Sequence, residues 1–336
     1  MREDSTMRLS AIGLIVILAF ALLLAPLAAD AQQAGRVPHI LVLYGSPREI
    51  FAPLAKALED QLGELGYVNG RNIHLEHRGT NGTPAQVREV VAEAVALKPD
   101  ILVVWGTLGA VTVKQATSSL PVVFLSVGVP VEIGLVASLR HPGGNMTGVT
   151  FEAATETYAR RLQLLQEVVP TLSRVALLYA VGDPNVAHAI QAVETAAPVL
   201  GLAVQLFGVR DGDELDPTFA TIAGSGAQGV LVVAGSLTYT QRQKIADLAL
   251  HYRLPSAHAF RETVAAGGLL SLGPNMAEIA RTGARYVEKL LKGASPGDLP
   301  VEQPTRYDVH LNLRTAQALG LVIPPTVLVL AEEVIR

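Results

Sequence analysis

Short, continuously apolar runs alternate with helix-period segments along this chain, and the alternation is played through twice. "HILVLYGS" (39–46) leads into a helical stretch from Phe51 to Leu65, and "NIHLEHRG" (72–79) into one from Pro84 to Leu97. "ILVVWGT" (101–107) opens a short helix that ends before "LPVVFLSVG" (120–128). Runs without polar alternation are strands covered on both faces, and strand, helix, strand at this spacing builds a parallel sheet. The order then restarts. "RVALLYAVGDP" (174–184), "LGLAVQLFGVR" (200–210), "GVLVVAGSLTY" (229–239) and "RLPSAHAF" (253–260) echo the earlier segments in turn. The offsets agree, with Gly201 against Gly66, Gly235 against Gly106 and Pro255 against Pro121 differing by 135, 129 and 134 residues. The pattern therefore predicts an α/β protein of two Rossmann-like lobes.

After Gly267 the layout changes. Residues 268–293 read as strand, turn and a long helix from Met276 to Leu291, and 299–321 as an extended segment, a strand and a helix. One further strand–helix unit for each lobe requires the chain to cross between lobes more than once. Several crossings make a multi-strand hinge, and a hinge between lobes makes a cleft that can close. The expected division is a leader over 1–31, lobe one from 32–147 plus about 266–300, and lobe two from 148–265 plus about 301–336.

The leader is expected on composition. An apolar stretch from Ala11 to Ala25 follows a charge-bearing start, and Ala29-Asp30-Ala31 supplies an A-x-A pattern, so cleavage is expected before Gln32. A start at Met7 gives the better n-region. The rival reading, an uncleaved anchor, has an apolar run shorter than the roughly 20 residues a spanning helix needs. The chain has no cysteine, which removes disulfides, thiolate metal sites, a thiol nucleophile and a lipidated N-terminus. A soluble periplasmic protein without a lipid anchor is the expectation. With 26 basic and 30 acidic residues and no Lys/Arg run, the footprint of a nucleic-acid binder is missing.

Candidate binding residues come from the strand ends, because ligands of open α/β sheets bind outside the carboxyl ends of the strands. Gly106-Thr107 and Gly235-Ser236 occupy matching strand-to-helix turns, where a helix N-terminus offers unpaired N–H groups. Glycine permits close approach, and the hydroxyl is either a cap or a ligand contact. Ser46 holds the equivalent turn after the first strand, and Asp183 and Asn185 hold it in the second half; turn chemistry alone is the alternative. Trp105, the only tryptophan, is either core or a stacking surface, and Tyr239 is the better aromatic candidate. "GSGAQG" (224–229) follows a helix and precedes a strand, the reverse of a dinucleotide site, and Asp211, Asp213 and Asp216 lack the rest of a calcium loop. His74 and His77, three apart on a strand, face opposite sides, so no metal site is expected there. No hydrolase, metalloprotease or P-loop motif occurs, and neither cofactor nor catalytic residue is expected.

Several stretches together resemble the ABC-transporter substrate-binding proteins of type I periplasmic-binding fold, in the subgroup with tryptophan- and tyrosine-binding members. They are residues 62–78, 106–131, 134–150, 161–179, 245–275 and 299–325, of which the closing "LPVEQPT" and "LGLVIPP" are the most specific. The resemblance implies a cleft lined by Ser46, Trp105, Gly106, Thr107 and Leu108, by the turn after Ser126 with Gly128 and Val129, and by facing loops. Those loops carry Asp183 and Asn185, then Ser236, Leu237, Thr238 and Tyr239, with Phe260 and Arg261 towards the hinge. Relatives often have Gly-Asp-Pro where this chain has Gly128-Val129-Pro130, so a carboxylate for a ligand ammonium is absent. They usually read Gly-Thr-Pro where Leu108 stands here. The implied function is capture of a small organic solute, an aromatic or branched amino acid or related carboxylate, by a monomer serving an inner-membrane ABC permease. A periplasmic sensor and a secreted α/β enzyme are the alternatives.

Overall fold

The computed structural model describes residues 36–152 and 156–336, so the leader and its cleavage site lie outside the described residues. Among the described residues no helix is long and apolar enough to cross a membrane. The first lobe is built from β1 (His39–Tyr44), α1 (Arg48–Glu64), β2 (His74–Gly79), α2 (Pro84–Ala96), β3 (Ile101–Trp105), α3 (Thr107–Ala116), β4 (Val122–Gly128) and β5 (Met146–Glu152). All pairings are parallel, in the order β2-β1-β3-β4-β5. Burial follows from that order. Every residue of β3 and β4 is buried, as continuous apolar runs require, whereas β2, with its His, Glu and Arg side chains, takes the edge.

The second lobe repeats the plan with α4 (Glu156–Val168), β6 (Arg174–Ala180), α5 (Val186–Val199), β7 (Ala203–Val209), α6 (Leu215–Gly224), β8 (Val230–Val232), α7 (Ser236–Thr240), α8 (Arg242–His251), β9 (Ser256–His258), α9 (Arg261–Ala265) and β10 (Leu270–Gly273). Its strands run β7-β6-β8-β9-β10, the same winding as lobe one, and the sheet then continues through β11 (Asp308–Asn312) and β12 (Ala331–Ile335). The helices α10 (Met276–Leu291), α11 (Leu313–Leu319) and α12 (Pro325–Leu328) complete the chain's order.

Two boundaries differ from the expected division. β10 hydrogen-bonds to β9 and β11 in the second sheet, and β5 closes the edge of the first, so the 266–300 block is split and lobe two does not begin at 148. Lobe one takes only α10, whose buried face (Met276, Ile279, Ala280, Gly283, Ala284, Val287) packs on α1, β4 and β5. The strand–turn–helix pattern looks like a single unit, but its turn is itself a crossing. Asn275 caps α10 there by accepting from the Glu278 N–H at 3.1 Å. The chain thus crosses three times, between β5 and α4, between β10 and α10, and between α10 and β11. At the first crossing Glu152 of β5 meets the fully buried Arg161 of α4 at 3.1 Å, and Arg161 Nε donates to the Leu272 carbonyl at 2.9 Å.

Candidate functional site

The carboxyl ends of the two sheets face each other, and there the apolar core is continuous across the lobes. Phe51 in the first turn of α1 stands 5.5 Å from Trp105 and 5.2 Å from Tyr239 of lobe two, ring centre to ring centre. Tyr239 stands 5.7 Å from Phe260, and Phe260 lies 5.5 Å from Phe151 of β5. Such offset and edge-on pairs are favourable beyond the area they bury. Between them remains a cavity of about 40 Å³, walled by the five rings with Gly106, Thr107, Ser126, Ala234, Gly235, Ser236 and Met276. That is room for a few waters at roughly 10–15 Å³ each, so an organic ligand enters only if rings or lobes move apart.

Among the described residues no charged side chain lines this cavity. Its wall does present donors. The Trp105 Nε1–H is buried without a hydrogen-bond partner among the described residues. Thr107 Oγ1 accepts from the Gly128 N–H at 3.1 Å, which leaves its own proton to donate. Gly106 precedes α3 with φ 86°, a conformation side chains disfavour. A Cβ there would also stand 3.0 Å from Ser236 Oγ across the cleft. The turn therefore needs glycine for its backbone and for the approach of the other lobe. Thr107 is the first helical residue and makes no side-chain cap; its hydroxyl ties β3's end to β4's.

Lobe closure is held by polar contacts as well. Ser46 Oγ lies 2.5 Å from Thr240 Oγ1 and 3.5 Å from the Ser236 carbonyl. Asp183, buried, accepts the Asn185 N–H at 3.0 Å and also meets the Ser236 N–H. Burial outweighs those two donors and raises its carboxyl to about 6. The side chain of Asn185 stands against Gly128, where a Cβ would come within 2.4 Å of its Oδ1.

Of the residues singled out from sequence, Trp105, Gly106, Thr107, Ser236, Tyr239 and Phe260 line the cavity. Ser46, Gly128, Asp183 and Asn185 lie around it, in the contacts just described, rather than in its wall. Leu108 and Leu237 do not reach it, because each is packed into the core of its own lobe. Thr238 turns its hydroxyl back to the Val233 carbonyl at 2.8 Å. Val129 is buried with φ 39°, an uncommon backbone for a β-branched residue, and is absent from the wall. Arg261 points away, pairing with Glu333 of β12 at 2.7 Å. Phe51, Phe151 and Met276 line the cavity without having been singled out. Phe51 had a readable signal, an aromatic in the first helical turn after the β1 strand end.

A family model described as ABC transporter substrate binding protein matches residues 52–335. The chain is 23% identical over 266 residues to a tyrosine-binding protein of Clostridioides difficile (strain R20291), covering 79% of this chain and 75% of that one. Among solved structures, a conserved domain protein from Vibrio cholerae superposes with a TM-score of 0.83 at 24% identity, covering 89% of this chain and all of that one. An ABC domain from Streptococcus pneumonia in complex with L-Trp gives 0.82 at 25% identity with the same coverage.

Proposed function

Since the chain belongs to the ABC transporter substrate binding proteins and has the type I periplasmic-binding fold, we propose that its ligand is an aromatic carboxylate, either an aromatic amino acid or its deaminated counterpart. One observation carries this reading. The cavity is walled by five aromatic rings, has Trp105 Nε1 and Thr107 Oγ1 among its side-chain donors, and has no charged group among the described lining residues. Rings suit a flat apolar body, and unpaired donors suit an anionic or carbonyl end, because a buried donor left unpaired is costly. An ammonium has no counter-charge among the described residues of the wall. The tyrosine-binding relative and the complex with L-Trp support the aromatic body.

The closed protein delivers this ligand to an ABC permease of the inner membrane. It works as a monomer in the periplasm, exported by its leader. It carries its ligand without turnover, and neither histidine nor carboxylate is among the described residues that line the cavity.

Binding of L-Trp, L-Tyr, 3-indolepropionate and 3-(4-hydroxyphenyl)propionate to protein refolded free of carried ligand tests the reading. At about a hundred times its Kd a ligand stabilises the fold by roughly 2.7 kcal/mol, a readable thermal shift. The deaminated acids are expected to bind at least as tightly as the amino acids. Trp105→Phe, which removes the donor together with part of the ring, is expected to weaken them more than tenfold, in line with about 1.5–3 kcal/mol for a hydrogen bond to a charged group. Failure of all four compounds to bind, or recovery of one chemically altered, would sink the proposal.

A further inference from the structure

The opposite end of the first sheet carries a second cluster of chemistry. His39 and His74 are the first residues of β1 and β2 and are direct partners in the parallel register. Glu76 lies two residues beyond His74 and therefore on the same face of the strand. His39 Nε2 stands 3.1 Å from Glu76 Oε2, and the His39 and His74 rings are 4.8 Å apart. One donor atom from each of the three lies within 4.8 Å of the other two. His77, on the opposite face, turns inward instead, with Nδ1 2.8 Å from the Tyr44 hydroxyl. Comparing His74 with His77 alone excludes a site on one strand, but the partner of His74 sits across the strand pair, where only the register reveals it.

We propose that His39, His74 and Glu76 bind a divalent transition-metal ion of the zinc or nickel class. Two imidazoles and a carboxylate are the donor set such ions select, with water filling the remaining positions. Tetrahedral bonds of about 2.0–2.1 Å place donors roughly 3–3.5 Å apart, so modest side-chain rotations bring the present arrangement into range. The carboxylate is prepared for this. Arg78 Nε donates to Glu76 Oε1 at 2.7 Å, which fixes the group while leaving Oε2 towards the histidines. Arg78 is shared with Glu93 at 3.0 Å, which moderates its competition with a cation. An oriented outer-sphere partner of this kind is what metal-binding carboxylates usually have. The ion would cross-link the starts of β1 and β2, a strand length of roughly 20 Å from the cleft.

The test is titration of untagged protein with Zn²⁺ and Ni²⁺ at pH 7.5, by calorimetry and equilibrium dialysis, with Co²⁺ absorption reporting coordination. One ion per chain and a rise in Tm of about 2–4 °C in excess metal are expected. His74→Ala, a change at an exposed position, is expected to weaken binding at least thirtyfold, and Glu76→Gln to alter the Co²⁺ spectrum. Ligand affinity at the cleft is expected to be the same with and without Zn²⁺. No saturable binding, or binding unchanged in His74→Ala, overturns the proposal and leaves a His39–Glu76 hydrogen bond at a sheet edge.

Discussion

The two walls of the cleft are built on the same strand order but finished differently. Around the aromatic cavity lobe one offers bare backbone at Gly45, Gly82, Gly106 and Gly128, and Ser236, Leu237 and Asn185 of lobe two close against it. A Cβ on Gly45 would fall 2.3 Å from Ser236 Oγ, one on Gly82 3.2 Å from the Leu237 backbone, and one on Gly128 2.4 Å from Asn185 Oδ1. One wall receives and the other inserts. Two copies of one supersecondary plan have thus become complementary at the surface where they meet, so the closed state is a fitted contact.

The strongest way to break that fit is to put a side chain on the receiving wall. Gly45 has no positive φ that a substitution would strain, and its closest Cβ neighbours belong to lobe two. Gly45→Val should therefore leave each lobe folded while blocking closure. Ligand affinity is expected to fall a hundredfold or more, and small-angle scattering should show no contraction on adding ligand. Moving the side chain between walls, as Gly45→Ala with Ser236→Gly, is expected to restore much of the loss. Equal weakening in the single and exchanged variants would mean that these walls do not control closure.

The repeat made much of this arrangement readable beforehand. Gly106 and Ser236 were legible because they recur at equivalent strand ends, and Tyr239 and Trp105 because they flank those turns. The inserting role of Asn185 was not, since it depends on which glycine it meets once the lobes have closed. Met276 and Phe151 were hidden for another reason. They sit beside crossings, and a pattern of strand, turn and helix does not reveal that the turn passes from one lobe to the other. Leu108 and Leu237 pack into the cores of their own lobes, because adjacency to a turn does not decide which way a helical side chain faces.

The inserting wall is fastened by Asp183, and pH sharpens its role. Its carboxyl titrates near 6 in the fold against 3.8 for the ordinary group, because burial penalises the charged form. Between about pH 4 and 6 the native state therefore binds more protons than the unfolded one, and stability from this group is lost as pH rises. His258 runs the other way. Burial lowers it from 6.5 to about 3, so its contribution is lost as pH falls below 6.5. Asp183→Asn removes the first dependence and keeps the second. Its stability relative to the wild-type chain is expected to rise by about 2–3 kcal/mol between pH 4 and 7, at about 1.4 kcal/mol per displaced pKa unit. Denaturant melts at several pH values measure this. A flat difference would mean that Asp183 ionises freely and is no buried fastener.

The smallest effect tests the polar seam between the walls. Ser46 and Thr240 put hydroxyl against hydroxyl across the cleft at 2.5 Å, both on segments that lie in different lobes. A neutral hydrogen bond of this kind contributes about 1 kcal/mol net, which corresponds to roughly fivefold in affinity. Because the contact exists only when the lobes are together, Ser46→Ala should speed ligand release and leave association nearly unchanged. Ser46→Ala with Thr240→Val should then cost little more than either change alone, since both remove the same contact. Additive losses in that cycle would place the two hydroxyls in separate roles and leave closure to the fit of glycine against side chain.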